Sequence, residues 1–434
     1  MQVGVFSEVG PLEHVVVHRP GPEIVRMTQF ELDRLLFDDI LAPDVAGLEH
    51  DVMCEILASE GALVEDIAEL LVAALQRAPE EQVLDLVHRV ADRSAHPELA
   101  PLLADLPRQR LAHALIEGLG WDELPDAPLT LARLRARFDQ HDTMALAPLP
   151  NLMFTRDPCI SVFDRVVVGR MATDARARES LLVRFALTWA KDQPAPLLFE
   201  TPDWDRHPSL RNLEGGDVLV LSPEMMLIGC SERTTPQTVQ RVAQESLFPT
   251  FPHLRNVYAV CMPALRSVMH LDTVLTQVDT KLFLGFAPMI AHGEGVNVVR
   301  LSRDGSVVHE DDATVLDILR RELGSDVELV PCGGAGDVRF QQREQWTDGA
   351  NAVCLGPGRI LLYSRNVRTA RILQEAHGFQ AVGLSIDTPA ATRADLLALA
   401  RGQDRVVYTF DGSELSRARG GARCMTMPLL RGSV

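Results

Sequence analysis

Short apolar segments alternate with single amphipathic helices along most of this chain, and this alternation constrains the fold more than any other feature of the sequence. The strands are predicted over 15–18, 166–168, 218–221, 226–228, 257–260, 282–284 and 360–363. The helices are predicted over 175–191, 236–247, 313–323, 367–376 and 389–400. Strands that alternate with helices are typical of α/β proteins. The sequence therefore predicts an α/β fold, in which strands grouped around one helix are compatible with divergent structural repeats.

One stretch, residues 61–139, departs from this alternation. Apolar residues such as Ile67 and Leu70 recur there at helical spacing between charged residues, and prolines divide the stretch into several helices. A chain of 434 residues also exceeds the usual size of one compact domain. We therefore expect an all-helical subdomain inserted into an α/β domain that is formed by 1–60 and 140–434.

The charge and the N-terminal sequence narrow the classes of function. A net charge of -18 argues against nucleic-acid binding, which depends on lysines and arginines that neutralise phosphates, and it suits a cationic small molecule better. The N-terminus has no basic segment followed by an apolar one, and no apolar stretch approaches the roughly 20 residues that span a bilayer. We expect a soluble cytoplasmic protein with no membrane partner.

The cysteines indicate reduced thiols. There are seven of them, scattered along the chain, with no pair separated by two residues. This pattern favours neither a disulfide framework nor a structural zinc site.

Four short segments concentrate polar residues and glycines against an apolar background: 151–157, 214–217, 270–273 and 419–428. In the third segment, an extended backbone would place His270 and Asp272 on one face and direct Leu271 into the core. By itself this pattern also fits a hydrogen-bonded core histidine next to an aspartate at the end of a strand.

Two further segments carry carboxylates at turns. Glu214-Gly-Gly-Asp217 precedes an apolar strand, and its glycines allow the backbone to approach another group closely. Asp157 precedes a proline, which is a common way to begin a turn. Taken alone, both segments are also compatible with ordinary turns.

Cys424 follows a glycine-rich loop that contains Arg419, and Arg423 directly precedes the cysteine. Positive charge favours the thiolate, which is the nucleophilic form of cysteine. A glycine-rich approach also permits a mobile gate. We therefore expect Cys424 to be an activated thiol, although most buried cysteines are inert.

Taken together, these segments resemble the arginine deiminase family of guanidine-modifying enzymes. The motifs Phe-Thr-Arg-Asp, Glu-Gly-Gly-Asp, His-Leu-Asp-Thr-Val and Gly-Gly-x-x-Cys-Met-Thr-x-Pro occur in that order, and the segments 35–39 and 343–351 extend the match over nearly the whole chain. The resemblance implies a five-bladed α/β pseudo-propeller (pentein) of ββαβ modules with a helical insertion at 61–139. It also implies hydrolysis of free L-arginine to citrulline and ammonia, without a metal or an organic cofactor.

The resemblance assigns the catalytic residues by motif position. Cys424 is the implied nucleophile, and His270 is the general acid and base. Asp157 and Asp272 bind the substrate guanidinium, and Glu214 completes the acidic lining and orients His270.

It also assigns residues that bind the rest of the substrate. Arg176 and Arg233 are implied to bind the α-carboxylate with help from Asn151, and Phe154 belongs to the same binding set. Arg419 is expected at the gate. A homo-oligomer, dimer or tetramer, is expected by analogy only.

Three alternatives remain open from the sequence. The chain could be a deiminase of another guanidine such as agmatine, although agmatine lacks the α-carboxylate that the two arginines would bind. It could be a non-catalytic arginine sensor on the same fold. A cysteine protease needs a Cys/His pair, but the three carboxylates suit a cationic ligand better than a peptide carbonyl.

Overall fold

A computed structural model describes residues 1–136, 138, 143–199 and 210–434. Its strands are β1 Leu12–Val17, β2 Leu63–Asp66, β3 Leu119–Gly120, β4 Met144–Leu146, β5 Cys159–Val162, β6 Arg165–Val168, β7 Leu197–Phe199, β8 Val218–Ser222, β9 Met225–Cys230, β10 Asn256–Cys261, β11 Leu275–Asp279, β12 Leu282–Gly285, β13 Asn297–Ser302, β14 Val307–His309, β15 Glu328–Pro331, β16 Val353–Gly356, β17 Arg359–Tyr363, β18 Gln380–Leu384, β19 Val406–Phe410 and β20 Met427–Arg431. Each strand predicted from the sequence coincides with one of these.

The helices are α1 Pro22–Val25, α2 Leu32–Leu35, α3 Pro43–Ser59, α4 Ile67–Arg77, α5 Glu80–Arg93, α6 Leu99–Ala104, α7 Arg108–Glu117, α8 Leu131–Ala136, α9 Glu179–Trp189, α10 Pro236–Val242, α11 Phe248–Thr250, α12 Ala287–Ile290, α13 Val315–Leu323, α14 Val338–Trp346, α15 Val367–His377 and α16 Ala390–Ala400. A π-helical turn, Ala243–Leu247, continues α10. The five helices predicted beyond residue 140 are confirmed, with ends that shift by a few residues.

The strands of the described residues form five sheets of three or more strands. Three of the sheets begin with the same ββαβ unit, in which an antiparallel hairpin is followed by a helix and a parallel strand: β5-β6-α9-β7, β8-β9-α10-β10 and β11-β12-α13-β15. The fourth sheet, β16-β17-β19-β18, carries an additional parallel strand. These units confirm the predicted α/β fold of ββαβ modules.

The fifth sheet joins the two ends of the chain. β20 pairs antiparallel with β1, and β1 pairs parallel with β2 after α3. The unit therefore has the same ββαβ plan, but its first strand comes from the C-terminal end. This pairing fixes the loop before β20, which contains Cys424, against the N-terminal part of the fold.

The region predicted as an all-helical insertion contains α4 to α8, but two of its segments are strands. Leu119–Gly120 forms β3, which pairs with β4, and the first residues of the region do not form a helix either. Leu63–Asp66 forms β2 instead, because these residues pair in register with β1. The helices begin at Ile67, where the side chain of Asp66 accepts a hydrogen bond from the Ala68 amide at 2.7 Å and caps α4.

The insertion shares its hydrophobic core with the neighbouring sheet. Apolar residues of α4, α5 and α7 form one buried cluster with those of α9 and β6, including Leu71, Val87, Leu115, Phe185 and Val166. The division of the chain into two domains remains a prediction, and its predicted boundary at 139 lies outside the described residues. None of the helices in the described part of the chain is long and apolar enough to cross a membrane.

Candidate active site

In each of the five sheets, a residue with a polar side chain lies within four residues before the first strand. These are Asp157 before β5, Glu214 before β8, Asp272 before β11, Asn351 before β16 and Cys424 before β20. All five are buried. Since equivalent positions of the repeated units meet at one end of the sheets, residues far apart in sequence come into contact.

His270 and Glu214 form the central hydrogen bond of this cluster. Nε2 of His270 lies 2.8 Å from a carboxylate oxygen of Glu214 and 3.9 Å from Oδ1 of Asp157. A Cβ atom on Gly216 would lie 2.7 Å from Cγ of His270, so the glycine permits the close approach that the Glu-Gly-Gly-Asp motif suggested.

The backbone around His270 differs from the sequence prediction. Leu271–Thr273 forms a 3-10 turn rather than an extended strand, although Leu271 is buried in the core as expected. The prediction of an extended segment was wrong because the amide of Leu271 donates to the Asp217 carboxylate at 2.9 Å, which holds a turn at this point.

The environment of His270 favours its cationic form. Burial opposes protonation, but the negative charge of Asp157 and the hydrogen bond to Glu214 outweigh it and raise the pKa of His270 to about 9. At neutral pH the imidazolium can therefore donate a proton.

Cys424 is held by Asn351 and lies next to Asp272. The Cys424 amide donates to Oδ1 of Asn351 at 3.1 Å, and Nδ2 of Asn351 donates to the Asp272 carbonyl at the same distance. The Sγ atom of Cys424 is 3.8 Å from Oδ2 of Asp272. Sequence reasoning left Asn351 without a role; its position before β16, equivalent to that of Cys424 before β20, is the signal that identifies it.

The thiol of Cys424 is not activated by its neighbouring arginines. Burial raises the pKa of Cys424 well above its usual value, and the negative charges of Asp272 and Asp157 raise it further. The positive charge of Arg423 lowers this pKa, but by too little to offset the increase. Arg423 therefore favours the thiolate, as expected, but burial and the carboxylates outweigh it, so the expectation that Cys424 is an activated thiol is not met.

The reason lies in the partners of Arg423. Its guanidinium donates to Oδ2 of Asp272 at 2.8 Å and to the Glu8 carboxylate at 3.1 Å, and all three side chains are buried. Because these two carboxylates neutralise it, Arg423 provides little net positive charge for the thiol.

A small cavity lies over Cys424 and His270. It is lined by Leu36, Asn151, Phe154, Asp157, Arg176, Arg233, Arg266, Met269, His270, Ala418, Arg419 and Cys424. Eight of the predicted site residues are among these. Glu214 and Asp272 do not line the cavity but lie directly behind His270 and Cys424, which they contact.

The arginines of the cavity differ in how far their guanidinium groups are already occupied. Arg176 donates to Asp157 at 2.7 Å, to Glu179 at 2.8 Å and to the carbonyls of Asn151 and Phe154. The contacts of Arg233 are longer, with Nη1 3.6 Å from Glu214. Arg233 therefore has more capacity for a further partner than Arg176, which supports Asp157.

Arg419 lies at the mouth of the cavity in a left-handed backbone conformation, φ 66°. Its guanidinium stacks on the indole of Trp346, 3.5 Å from the ring centroid, and donates to the Trp346 carbonyl. Tyr363 donates to the carbonyl of Gly420 at 2.8 Å and fixes the loop that follows.

Four cavity residues were not assigned to the site from the sequence: Leu36, Arg266, Met269 and Ala418. Leu36 reaches the cavity because its backbone is left-handed, φ 67°, and because Arg266 donates to its carbonyl at 2.9 Å and to Asp38 at 3.1 Å. Leu36 lies in the segment 35–39 that extends the family resemblance, and Met269 and Ala418 directly precede His270 and Arg419, but an apolar side chain beside a motif does not show that it faces a cavity. Arg266 has no such neighbour in the sequence.

Asp157, Glu214 and His270 place one donor atom each within 4.8 Å of one another, a spacing that fits a metal ion. However, Arg176 lies 2.7 Å from Asp157 and Arg233 lies 3.6 Å from Glu214. The carboxylates therefore already have positive partners, and this set does not fit a resident metal ion.

Comparison with solved structures identifies the class of fold. The chain superimposes on SxtG, an amidinotransferase from Microseira wollei in the saxitoxin biosynthetic pathway, with a TM-score of 0.50 and 13% sequence identity over 100% of this chain and 98% of the other. With the five sheets described above, this similarity defines the pentein fold.

Sequence comparison then identifies the family. Residues 33–431 match the model of the family described as "Arginine deiminase". Two similar relatives are the arginine deiminases of Borrelia duttonii (strain Ly), 33% identical, and Lactococcus lactis subsp. cremoris (strain MG1363), 34% identical, each over 99% of this chain and 98% of the relative. The chain belongs to the arginine deiminase family.

Proposed function

We propose that this protein hydrolyses free L-arginine to L-citrulline and ammonia through a covalent intermediate on Cys424. The observation that carries the proposal is the composition of one small buried cavity. A thiol, an imidazole of raised pKa and the Asp157 carboxylate lie together on its wall, with Arg233 on the same wall. Such a cavity can bind a planar cation at one end and a carboxylate at the other.

In this proposal the substrate itself activates the nucleophile. The pKa of Cys424 is raised by burial and by Asp272 and Asp157. A bound guanidinium would neutralise these carboxylates and so remove the negative charge that disfavours the thiolate. Arginine binding and thiolate formation are then coupled, and the free protein is protected from side reactions of an exposed thiolate.

The first step forms one bond and breaks another. The Cys424 thiol releases its proton to solvent as arginine binds, and the resulting thiolate attacks the central guanidinium carbon. His270 then donates a proton to a terminal nitrogen, the bond from the carbon to that nitrogen breaks, and ammonia leaves. In the second step the neutral His270 takes a proton from water, the hydroxyl adds to the same carbon, and the carbon–sulfur bond breaks to release citrulline.

The remaining residues have supporting roles in the proposal. Glu214 holds His270 and keeps it protonated, and Asp157 binds the guanidinium nitrogens from the cavity wall. Asp272 lies behind Cys424 and pairs with Arg423, so it would bind the guanidinium after this pair opens. Arg233 and Asn151 bind the α-carboxylate end, Phe154 contacts the substrate stem, and Arg419 acts as the gate. Arg176, proposed for the same carboxylate, already donates to Asp157 and Glu179 and would exchange one of these partners to bind it. An assembly of identical subunits and a cytoplasmic location remain predictions.

The proposal is tested by assaying ammonia together with citrulline from arginine and carbamoylputrescine from agmatine. We expect turnover of arginine, no turnover by Cys424→Ala, and arginine affinity of that variant within about one order of magnitude of wild type. Cys354→Ala, which removes another buried thiol, is the matched control and should remain active.

Mass spectrometry of acid-quenched wild type should show the amidino adduct on the peptide that contains Cys424. An adduct on Cys354 or Cys332 would contradict the assignment of the nucleophile. A strong preference for agmatine would contradict the substrate, and binding of arginine without ammonia release over a broad pH range would favour a sensor.

A further inference from the structure

Two cysteines outside the cavity lie side by side at the ends of neighbouring strands. Cys230 is the last residue of β9 and Cys261 is the last residue of β10, and the two are directly paired in the register of these parallel strands. Residues paired in this way place their side chains on the same face of the sheet. Because neighbouring strands lie about 4.8 Å apart, the two thiols are adjacent, and each is the strongest influence on the acidity of the other.

The two thiols differ in accessibility and in acidity. Cys230 is buried, whereas Cys261 is half-buried. The interaction with the neighbouring Cys230 thiol, assisted by the charge of His309, outweighs burial and lowers the pKa of Cys261 to about 7. The same interaction, together with burial, raises the pKa of Cys230. One thiol is therefore reachable and partly ionised at neutral pH, and the other is held next to it as a thiol.

The end of β9 is connected to the cavity by hydrogen bonds. Ser231 follows Cys230 directly, and its hydroxyl donates to Asp217 at 2.7 Å and accepts from the Arg233 amide at 3.0 Å. Asp217 in turn accepts from the Leu271 amide, next to His270. A displacement of Cys230 would therefore reach both Arg233 and His270.

We propose that Cys230 and Cys261 are a redox-active thiol pair, which a peroxide converts into a disulfide that weakens arginine binding by displacing the loop carrying Arg233. The part that concerns arginine rests on the function proposed above, whereas disulfide formation does not depend on it.

The reaction is balanced with one peroxide molecule. The Cys261 thiolate attacks a peroxide oxygen, the oxygen–oxygen bond breaks, and a sulfenic acid and water result after protonation. The Cys230 sulfur then attacks the Cys261 sulfur, the sulfur–oxygen bond breaks, and a second water leaves. Two thiols lose two electrons and hydrogen peroxide gains them.

The expected displacement follows from strand geometry. Neighbouring strands lie about 4.8 Å apart, which is within the roughly 4.4–6.8 Å that separates the Cα atoms of a disulfide, so the bond can close without breaking the strand pairing. The two sulfur atoms must approach from van der Waals contact to about 2 Å, and this pulls the end of β9 and the segment that begins at Ser231 by up to about 1 Å. A displacement of about 1 Å in a site of this kind changes binding or rate by about 10-fold to 100-fold.

The experiment uses the full chain with Cys424→Ala, so that the nucleophile itself cannot be oxidised. The protein is treated with one equivalent of hydrogen peroxide, mapped by non-reducing peptide mass spectrometry, and titrated calorimetrically with arginine before oxidation, after it and after reduction with dithiothreitol. We expect a peptide pair linked through Cys230 and Cys261, an increase of about 10-fold in the arginine Kd, and recovery on reduction.

Two further variants serve as controls. Adding Cys230→Ser should abolish the linked pair and the change in Kd, and should leave a sulfenic acid on Cys261 that dimedone captures. Adding Cys354→Ser instead should leave both effects intact, because Cys354 lies in another sheet.

Several results would overturn the proposal: oxidation of Cys261 to sulfinic acid without a linked pair, a disulfide between other cysteines, or the linked pair with an unchanged arginine Kd. If the reduced Cys424→Ala protein binds no arginine, the proposed function fails, while the peptide map still decides whether the thiol pair reacts.

Discussion

Nε2 of His270 lies 2.8 Å from a carboxylate oxygen of Glu214, and both side chains are buried. This contact, together with Asp157, keeps the imidazole positively charged despite burial and raises its pKa to about 9. The pair is therefore a source of a proton at neutral pH, in a place from which water is largely excluded.

Glu214→Gln should lower the pKa of His270, because it removes one of the negative charges that stabilise the imidazolium. Activity that requires the cation is lost as pH rises through this pKa, so the alkaline limb of the pH–rate profile should move from about pH 9 toward lower pH. We also expect kcat at neutral pH to fall by about 10²-fold or more. Steady-state assays between pH 5 and pH 10 measure both effects.

The surface variant Glu224→Gln is the control, because Glu224 is exposed and distant from the cavity. Its profile should match wild type. An unchanged alkaline limb in Glu214→Gln would contradict the proposed role of Glu214.

Asn351→Ala should misplace the nucleophile without removing it. The amide of Asn351 connects the Cys424 backbone to the Asp272 carbonyl, so its loss frees the loop before β20. We expect kcat to fall by about 10²-fold while KM changes little. Asn351→Asp retains the acceptor for the Cys424 amide and should recover part of kcat; equal loss in both variants, or a loss confined to KM, would contradict a positioning role.

Arg233→Met should separate substrates with and without an α-carboxylate. We expect kcat/KM for arginine to fall by about 10²-fold or more, because a buried carboxylate loses its charged partner, and the slow reaction of agmatine to change much less. The matched variant Arg241→Met removes an arginine of α10 that pairs with Glu245 at the surface and should behave as wild type. Equal losses for arginine and agmatine would show that Arg233 does not bind the carboxylate.

His18 should stabilise the junction of β1 and α4 in a pH-dependent way. Burial opposes its protonation, but the hydrogen bond to Asp66 and the charges of Asp66 and Glu23 raise the pKa of His18 to about 10. A raised pKa contributes stability that is complete below the unfolded value, about 6.5, and is lost as pH rises through about 10.

His18→Gln should therefore lower the free energy of unfolding by about 2 kcal/mol or more at pH 6, and by much less above pH 10. Urea unfolding at both pH values measures the difference. His113→Gln, at an exposed histidine, should have little effect at either pH. A destabilisation of His18→Gln that is independent of pH would indicate lost packing instead of a charge interaction.

The sequence by itself determined the α/β modules, the helical stretch and the four polar segments. Alternating apolar runs and helical periodicity are local properties, and each motif is contiguous, so these features are readable before folding. The identity of Cys424 and His270 as candidates came from the same contiguous motifs.

Only the tertiary structure decided how these residues act on one another. The charge state of Cys424 depends on Asp272, Asp157 and the neutralisation of Arg423 by Glu8, which lies 415 residues away along the chain. The turn at Leu271 depends on the distant Asp217 carboxylate. The burial of a residue and the charges that act on it depend on all of its neighbours in space. These neighbours are in place only after folding has brought the first strands of the five sheets together.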